Sequence, residues 1–304
     1  MFETKQERMN IEYNYRNITL NDIHLTNCII NTIRQKHNLP DSMRVLEVGC
    51  GSGTFFLYMI DVLSKTFPKI NFDFYAFDIQ ESELTFHDDE LKNSHLSRLH
   101  LTLKKKYKND NWEEKIKIID PSDDWHEQFE FFDLIISNQV LEHVIDKPTF
   151  FDTLNKNLKS SGNSIHLFPT LDVFWEWHIH VPFAHWFKSE KILRKYMIIY
   201  RAITSPIKFI KNYQLLMNSI NHDVKYIFNK THYSSTKQCI KYCHDQNLTV
   251  NLRYTYPYYF LKVCQWLRID INRFNFYKCN SFIHYLTFFI TKHVSSITLH
   301  ISKS

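Results

Sequence analysis

Apolar positions in the first half of the chain alternate between two rhythms. From 20 to 37, Ile23, Leu25, Cys28, Ile29, Ile30 and Ile33 recur at helical spacing, and Asn38 and Pro40 close the run. Arg44–Val48 is then a short, nearly continuous apolar run, the pattern of a parallel strand buried on both faces. Thr54–Leu63 returns to helical spacing through Phe55, Phe56, Met59, Ile60, Val62 and Leu63. The same alternation predicts strands at Asn71–Phe77, Lys115–Ile119, Phe132–Ser137 and Ser164–Phe168. Helical stretches are predicted over 81–112 and Lys147–Leu158, the latter closed by Ser160, Ser161 and Gly162. Strands alternating with helices imply a doubly wound α/β fold with a mostly parallel, Rossmann-like sheet. Its ligand belongs beyond the carboxyl ends of the strands. Glu47, Gly49, Asp78, Asp120 and Asn138 all fall at such ends.

The rhythm breaks after Pro169. Residues 171–187 are dense in Trp, His and Phe, and 190–229 are basic and helical with an interruption at Pro206. Ser234–Asn247 then reads as a helix and Leu248–Leu252 as a strand, a return to the earlier style. Residues 257–268 and 281–294 carry helical patterns. The expected organisation is an N-terminal helical segment (1–41), a ligand-binding domain (42–170), a substrate or lid insertion (171–230), a return to the sheet (231–254) and a C-terminal helical extension (255–304). The insertion and the extension form an aromatic, basic lobe.

Charge sharpens this division. Residues 1–170 carry 19 Lys and Arg against 26 Asp and Glu, a net of −7, whereas 171–304 carry 18 against 6, a net of +12. A basic lobe suits an anionic partner (a phosphorylated substrate, RNA or lipid headgroups) or is a solvated surface poor in acids. Aromatic residues at 16% and hydrophobic residues at 44% exclude disorder. No apolar run approaches the length that spans a bilayer, and Met1–Met9 is charged rather than apolar. Six scattered cysteines without a framework pattern fit reduced thiols, so a cytoplasmic protein is expected.

Only 4 of 304 residues are glycine, against a usual share of about 7%. Three of them alternate in Glu47-Val48-Gly49-Cys50-Gly51-Ser52-Gly53, between a strand and a helix. The third glycine comes one residue early for the G-x-G-x-x-G dinucleotide fingerprint, which disfavours NAD. The stretch 46–53 resembles the first motif of class I S-adenosylmethionine-dependent methyltransferases. The likeness continues in register through Tyr75-Ala76-Phe77-Asp78, Ile118-Ile119-Asp120, Phe132 to Val144 and Leu158-Lys159-Ser160-Ser161-Gly162-Asn163. It covers about 42–170, with a weaker likeness at 231–252.

The resemblance implies S-adenosylmethionine as cofactor. Gly49, Cys50, Gly51 and Gly53 would meet its methionine and ribose parts, Glu47 would orient the loop or face its cationic end, and Asp78 would accept the ribose hydroxyls. Asp120 would accept from the adenine amine, with Ile79 and Ile119 flanking the ring. Ser137 and Asn138 would line the path to the acceptor. The fourth-strand motif is not Asn-Pro-Pro-Tyr, which speaks against amino methylation of adenine or glutamine. A hydroxyl acceptor also needs a proton removed. His143, His178, His180 and His185 are candidate bases, with Glu176 to orient one of the last three, unless these histidines are structural. Glu142-His143 resembles the end of the Glu-x-x-Glu-His run with which quinone-pathway O-methyltransferases bind a divalent cation. Gln139 replaces the first acid, so no metal is expected. The aromatic cluster at 174–187 offers a platform for a sugar face or flat ring, or packs as a lid.

The expected function is O-methylation of a small or saccharide-like acceptor, with a loose resemblance to methyltransferases of bacterial glycan biosynthesis. A quinone or lipid precursor at a membrane surface is an alternative, with 281–294 as a stripe that docks on the membrane or caps the core. A non-catalytic nucleotide-binding fold with a basic, partner-binding lobe is another.

Overall fold

The computed structural model describes residues 18–79, 98–107, 111–120, 125–269 and 291–303. Much of the 81–112 stretch, Pro121 to Asp124, Cys279 and most of the 281–294 stripe lie outside the described residues.

Side-chain caps start three of the described helices. In α1 (Leu20–Arg34) the Thr19 side chain accepts from the Asp22 N–H, and the Asp22 carboxylate accepts from the Thr19 N–H. β1 (Ser42–Val48) runs through the glycine loop into α2 (Thr54–Thr66), followed by β2 (Asn71–Ile79). After a helix over 98–106 (α3) come β3 (Ile116–Ile119) and β4 (Phe132–Asn138). Asp146 caps α4 (Lys147–Asn157), whose chain passes directly into β5 (Leu158–Phe168). The lobe holds a short hairpin of β6 (Trp175–Glu176) and β7 (Val181–Pro182). Three helices follow, α5 (Glu190–Thr204), α6 (Pro206–Lys211) and α7 (Tyr213–Lys230), with Pro206 opening α6. A second capping box, Ser235 with Gln238, starts α8 (Thr236–Asp245). β8 (Thr249–Asn251), α9 (Thr255–Trp266) and β9 (Ile297–Ser302) complete the chain.

Seven strands form one sheet in the order β3-β2-β1-β4-β5-β9-β8. Neighbours from β3 to β5 pair in parallel, while β9 lies antiparallel between β5 and β8. The doubly wound, mostly parallel α/β fold expected from the pattern is the fold observed. One face of the sheet packs on Leu25, Ile29, Phe56, Met59, Leu103, Tyr254 and Tyr258, and the other on Phe129, Phe151, Leu154, Cys239 and Cys243. The lobe has its own small core, built from Val181, Leu193, Met197, Ile220 and Val224.

Two expectations about elements are corrected. The C-terminal extension is not wholly helical: Ile297–Ser302 is the strand that joins β8 to the sheet, and all but Ser302 are buried. Its residues, Ile297-Thr298-Leu299-His300-Ile301-Ser302, alternate apolar and polar side chains with the period of a strand. Gly162 does not close a helix either. It lies inside β5, in a bulge where Leu158 pairs with Phe132 but Asn163 pairs with Leu134. Ser161 takes the left-handed conformation there, φ +63°.

Candidate functional site

The glycine loop is tied to the end of β2. The N–H groups of Gly49 and Cys50 both donate to the Phe77 carbonyl, at 2.8 and 3.0 Å, and Gly53 N–H donates to Cys50 O at 2.8 Å. All three glycines have positive φ. At Gly49 a Cβ would stand 2.5 Å from a Val140 methyl, so the loop presses against the segment after β4. At Gly51, among the described residues other than its chain neighbours, no heavy atom lies within 4 Å of that position, which leaves an open face for a ligand. Asp78 accepts from Gly51 N–H and from Ile79 N–H, one to each oxygen, both at 2.9 Å. Each oxygen keeps a further lone pair, the arrangement that holds a vicinal diol. Ile79 is half-exposed at the same strand end, and Asp120 is exposed at the end of β3. Ile119 faces the other way, into the core. Burial pushes the Cys50 thiol well up, helped by the charges of Glu47 and Asp78, so it packs beneath the loop as a neutral group.

Glu47 is buried, and its Oε2 has no hydrogen-bond partner. Burial, then the neighbouring Asp22 and Asp78, hold its carboxyl well above the usual range. Asp22 belongs to this site, and the sequence reading missed it. From the first turn of α1 it accepts from Thr19 N–H and from the Asn138 amide, at 2.8 and 3.0 Å. The available signal was an acid at the third position of a Thr19-x-x-Asp22 capping box, on a helix face that becomes buried. Asn138 Oδ1 is unpartnered as well. An unpartnered buried carboxylate beside two more acids fits the cationic end of S-adenosylmethionine, and the open glycine face beside Asp78 fits its ribose. Ser137 does not line this cleft. It is fully buried, and its hydroxyl is 2.7 Å from His166 Nδ1, a ring held neutral by burial at a pKa of about 3.

A second cluster forms where the turn after β4 meets the lobe. Gln139, at φ +57°, begins this turn, and Glu142 and His143 lie on it rather than on a helix. Glu142 is fully buried, neither carboxylate oxygen has a partner among the described residues, and burial pushes it up to about 8. His143 Nδ1 donates to Lys230 O at 2.6 Å. His178 Nδ1 donates to Glu176 Oε1 at 2.7 Å, and Tyr233 Oη donates to the same oxygen at 2.6 Å. Ile179 N–H donates to the other Glu176 oxygen at 2.8 Å. Burial would raise Glu176, but these donors hold it below the usual range. Burial would likewise lower His178, and the Glu176 carboxylate overrides it to raise the imidazole above its ordinary value. The His178 side chain remains 24% accessible. Its ring meets that of His143 edge to face, with centroids 5.5 Å apart.

Of the other candidate histidines, His180 stands apart and His185 packs on the Tyr233 ring, with centroids 4.8 Å apart. His180 is exposed, on a left-handed residue with φ +53°. His185 lines a separate cavity of about 150 Å³ with Leu171, Phe187, Ile227, Thr231 and Tyr233, and burial lowers its pKa. Phe174, Trp177, Phe183 and Trp186 are all half-exposed, and the Phe183 and Trp186 centroids lie 4.8 Å apart.

Residues 27–200 match a family described as a methyltransferase domain. No curated protein matches the chain. Among solved structures it is similar to geranyl diphosphate C-methyltransferase from Streptomyces coelicolor A3(2) (10% identity, 92% of this chain and 75% of that one, TM-score 0.42). It is also similar to the O-methyltransferase of a trans-AT PKS multienzyme from Brevibacillus brevis (13% identity, 91% and 71%, TM-score 0.41). A third similarity is to Haemonchus contortus phosphoethanolamine N-methyltransferase 2 (10% identity, 99% and 60%, TM-score 0.44).

Proposed function

The chain belongs to the methyltransferase domain family, and from that premise we propose that it methylates a hydroxyl oxygen of a small or saccharide-like acceptor in the cytosol. The protein is an S-adenosylmethionine-dependent methyltransferase. Glu47, Asp22 and Asp78 face the donor's cationic end and ribose, and the backbone from Gly49 to Gly53 supports it. The donor arrives activated as a sulfonium, so the protein's task is to hold an acceptor oxygen in line with the methyl carbon. The acceptor loses a proton as the C–O bond forms.

The observation that carries the oxygen assignment is the cluster of Glu142, His143 and His178. Glu142 and His143 lie four and five residues beyond Asn138 at the carboxyl end of the sheet, and the lobe adds the partly accessible imidazole of His178, backed by the buried Glu176 carboxylate. A sulfur nucleophile, whose thiol ionises more readily, has less need of such a group. The half-exposed aromatic rings of the lobe give a face on which a sugar or flat ring can rest.

Incubating the protein and labelled S-adenosylmethionine with cell extract tests this reading. The label is expected in a methyl ether that mass spectrometry resolves. A product methylated on nitrogen or carbon would refute the oxygen assignment.

A second reading has specific support. Ile192, Ile199 and Ile203 of α5 and Ile207 and Ile210 of α6 are all exposed, among Lys191, Arg194, Lys195 and Lys211. Such a surface suits an acceptor carried in an anionic membrane. Among the described residues, no helix is long and apolar enough to cross a membrane. Flotation with anionic liposomes tests this reading, and protein that stays at the bottom of the gradient removes it.

A further inference from the structure

We propose that Glu142, His143 and His178 bind a divalent transition-metal ion of the zinc class. This deepens the proposed O-methylation by naming what the cluster does, and it rests on that reading only for the identity of the open ligand position.

Each residue offers one ligand atom, and the three atoms lie within 4.8 Å of one another. Glu142 supplies an independent reason. A carboxylate fully buried with both oxygens unpartnered is costly unless a cation or a donor completes it. Lys147, the nearby cation, is turned to the carbonyls of Val144 and His232 instead.

The two imidazoles are also oriented as metal ligands are. A histidine that binds a metal gives its other N–H to a carboxylate or a backbone carbonyl, which fixes the tautomer and the ring plane. His143 gives its Nδ1–H to the Lys230 carbonyl, and His178 gives its Nδ1–H to Glu176, which is in turn held by Tyr233 and Ile179 N–H. Nε2 is then the coordinating nitrogen on both rings. Two imidazoles and one carboxylate suit zinc and its first-row neighbours, whereas magnesium and calcium prefer oxygen alone.

Metal–ligand bonds of about 2.1 Å set neighbouring donors about 3.4 Å apart in a tetrahedral site. The cluster therefore has to close by roughly 1 Å, most readily through His178, the partly accessible member. Three protein ligands leave a fourth position for the acceptor's oxygen, whose proton a bound dication makes easier to lose. Sequence reading disfavoured a metal because Gln139 replaces an acid. It did not foresee that the lobe returns His178 to Glu142 and His143.

Titration calorimetry on the full-length chain, stripped with EDTA and given zinc chloride or magnesium chloride, tests the site. One zinc per chain is expected with a dissociation constant below micromolar, and magnesium at least 100-fold weaker. His143→Ala and His178→Ala should each weaken zinc at least tenfold. Glu176→Gln should weaken it about 10- to 100-fold through the orientation of His178, and His180→Ala should change nothing.

X-ray absorption at the zinc edge of the wild-type protein guards against variants that fail to fold, and should show nitrogen and oxygen neighbours. Thiolate ligation, zinc uptake unchanged in the His143→Ala/His178→Ala pair, or a preference for magnesium would overturn the site. S-adenosylhomocysteine binding, measured on the same stripped protein, reports on the methyltransferase reading separately.

Discussion

Replacing Gly49 by alanine perturbs the loop in two separable ways. The residue sits at φ +71°, where an L side chain costs about 1–2 kcal/mol. The new methyl also stands 2.5 Å from Val140 Cγ2, an overlap worth about 1–3 kcal/mol. The sum is about 2–5 kcal/mol. At roughly 2 °C per kcal/mol for a chain of this size, Tm falls by about 4–10 °C. A double-mutant cycle with Val140→Ala separates the parts. The overlap disappears in the double variant and the backbone strain does not, so the coupling energy should favour the pair by about 1–3 kcal/mol. Denaturant unfolding of the four proteins measures it. S-adenosylhomocysteine affinity should fall in Gly49→Ala, because the loop that carries Gly51 N–H is displaced. A Tm within 1 °C of wild type, or a coupling within about 0.5 kcal/mol of zero, would refute the packing of this loop against Val140.

Other expectations follow from the same geometry. Asp78→Ala removes a charged acceptor of the ribose, so S-adenosylhomocysteine affinity by calorimetry should fall about 10- to 150-fold, equal to one charge-assisted hydrogen bond of about 1.5–3 kcal/mol; unchanged affinity removes that role. Glu47→Gln should weaken S-adenosylmethionine more than S-adenosylhomocysteine, by about tenfold or 1.4 kcal/mol, since only the former carries the sulfonium charge; equal losses would put the carboxylate elsewhere. His178→Ala should cut turnover by about 10²- to 10⁴-fold while leaving S-adenosylhomocysteine affinity intact; normal turnover would exclude it. His166, held at about 3 by burial, stabilises the fold above its unfolded value near 6.5, and this contribution is lost as pH falls toward 3. The stability gap between wild type and His166→Gln should therefore close by about 3 kcal/mol from pH 7.5 to 4.5, and a constant gap in denaturant titrations would contradict the buried neutral ring.

The sheet was legible because apolar runs, helical spacing and strand-end acids agreed from residue 42 to 168. The glycine loop between β1 and α2 was legible too, through three glycines kept together in a chain that has only four. Asp22 was hidden because a capping acid looks the same whether it serves only its own helix or also reaches Asn138. Ser137 misled because a strand-end hydroxyl gives no sign of which face it takes, and here His166 claims it. β9 was legible in principle, since Ile297-Thr298-Leu299-His300-Ile301-Ser302 alternates apolar and polar residues, but it closely follows the helical spacing of 281–294 and reads there as part of that helical extension. The Glu142–His143–His178 cluster was invisible as a unit, since it exists only once the lobe folds back over the turn after β4, with His232 N–H donating to Glu142 O at 2.6 Å.

The central claim is that the glycine loop Gly49–Gly53, with Asp78, takes S-adenosylmethionine. Titration calorimetry of the wild-type chain with S-adenosylhomocysteine and with NAD tests it most directly. One S-adenosylhomocysteine per chain, lost or much weakened in Asp78→Ala, with no measurable NAD binding, is the predicted result. Tighter binding of NAD, or no binding of S-adenosylhomocysteine to folded protein, would contradict it.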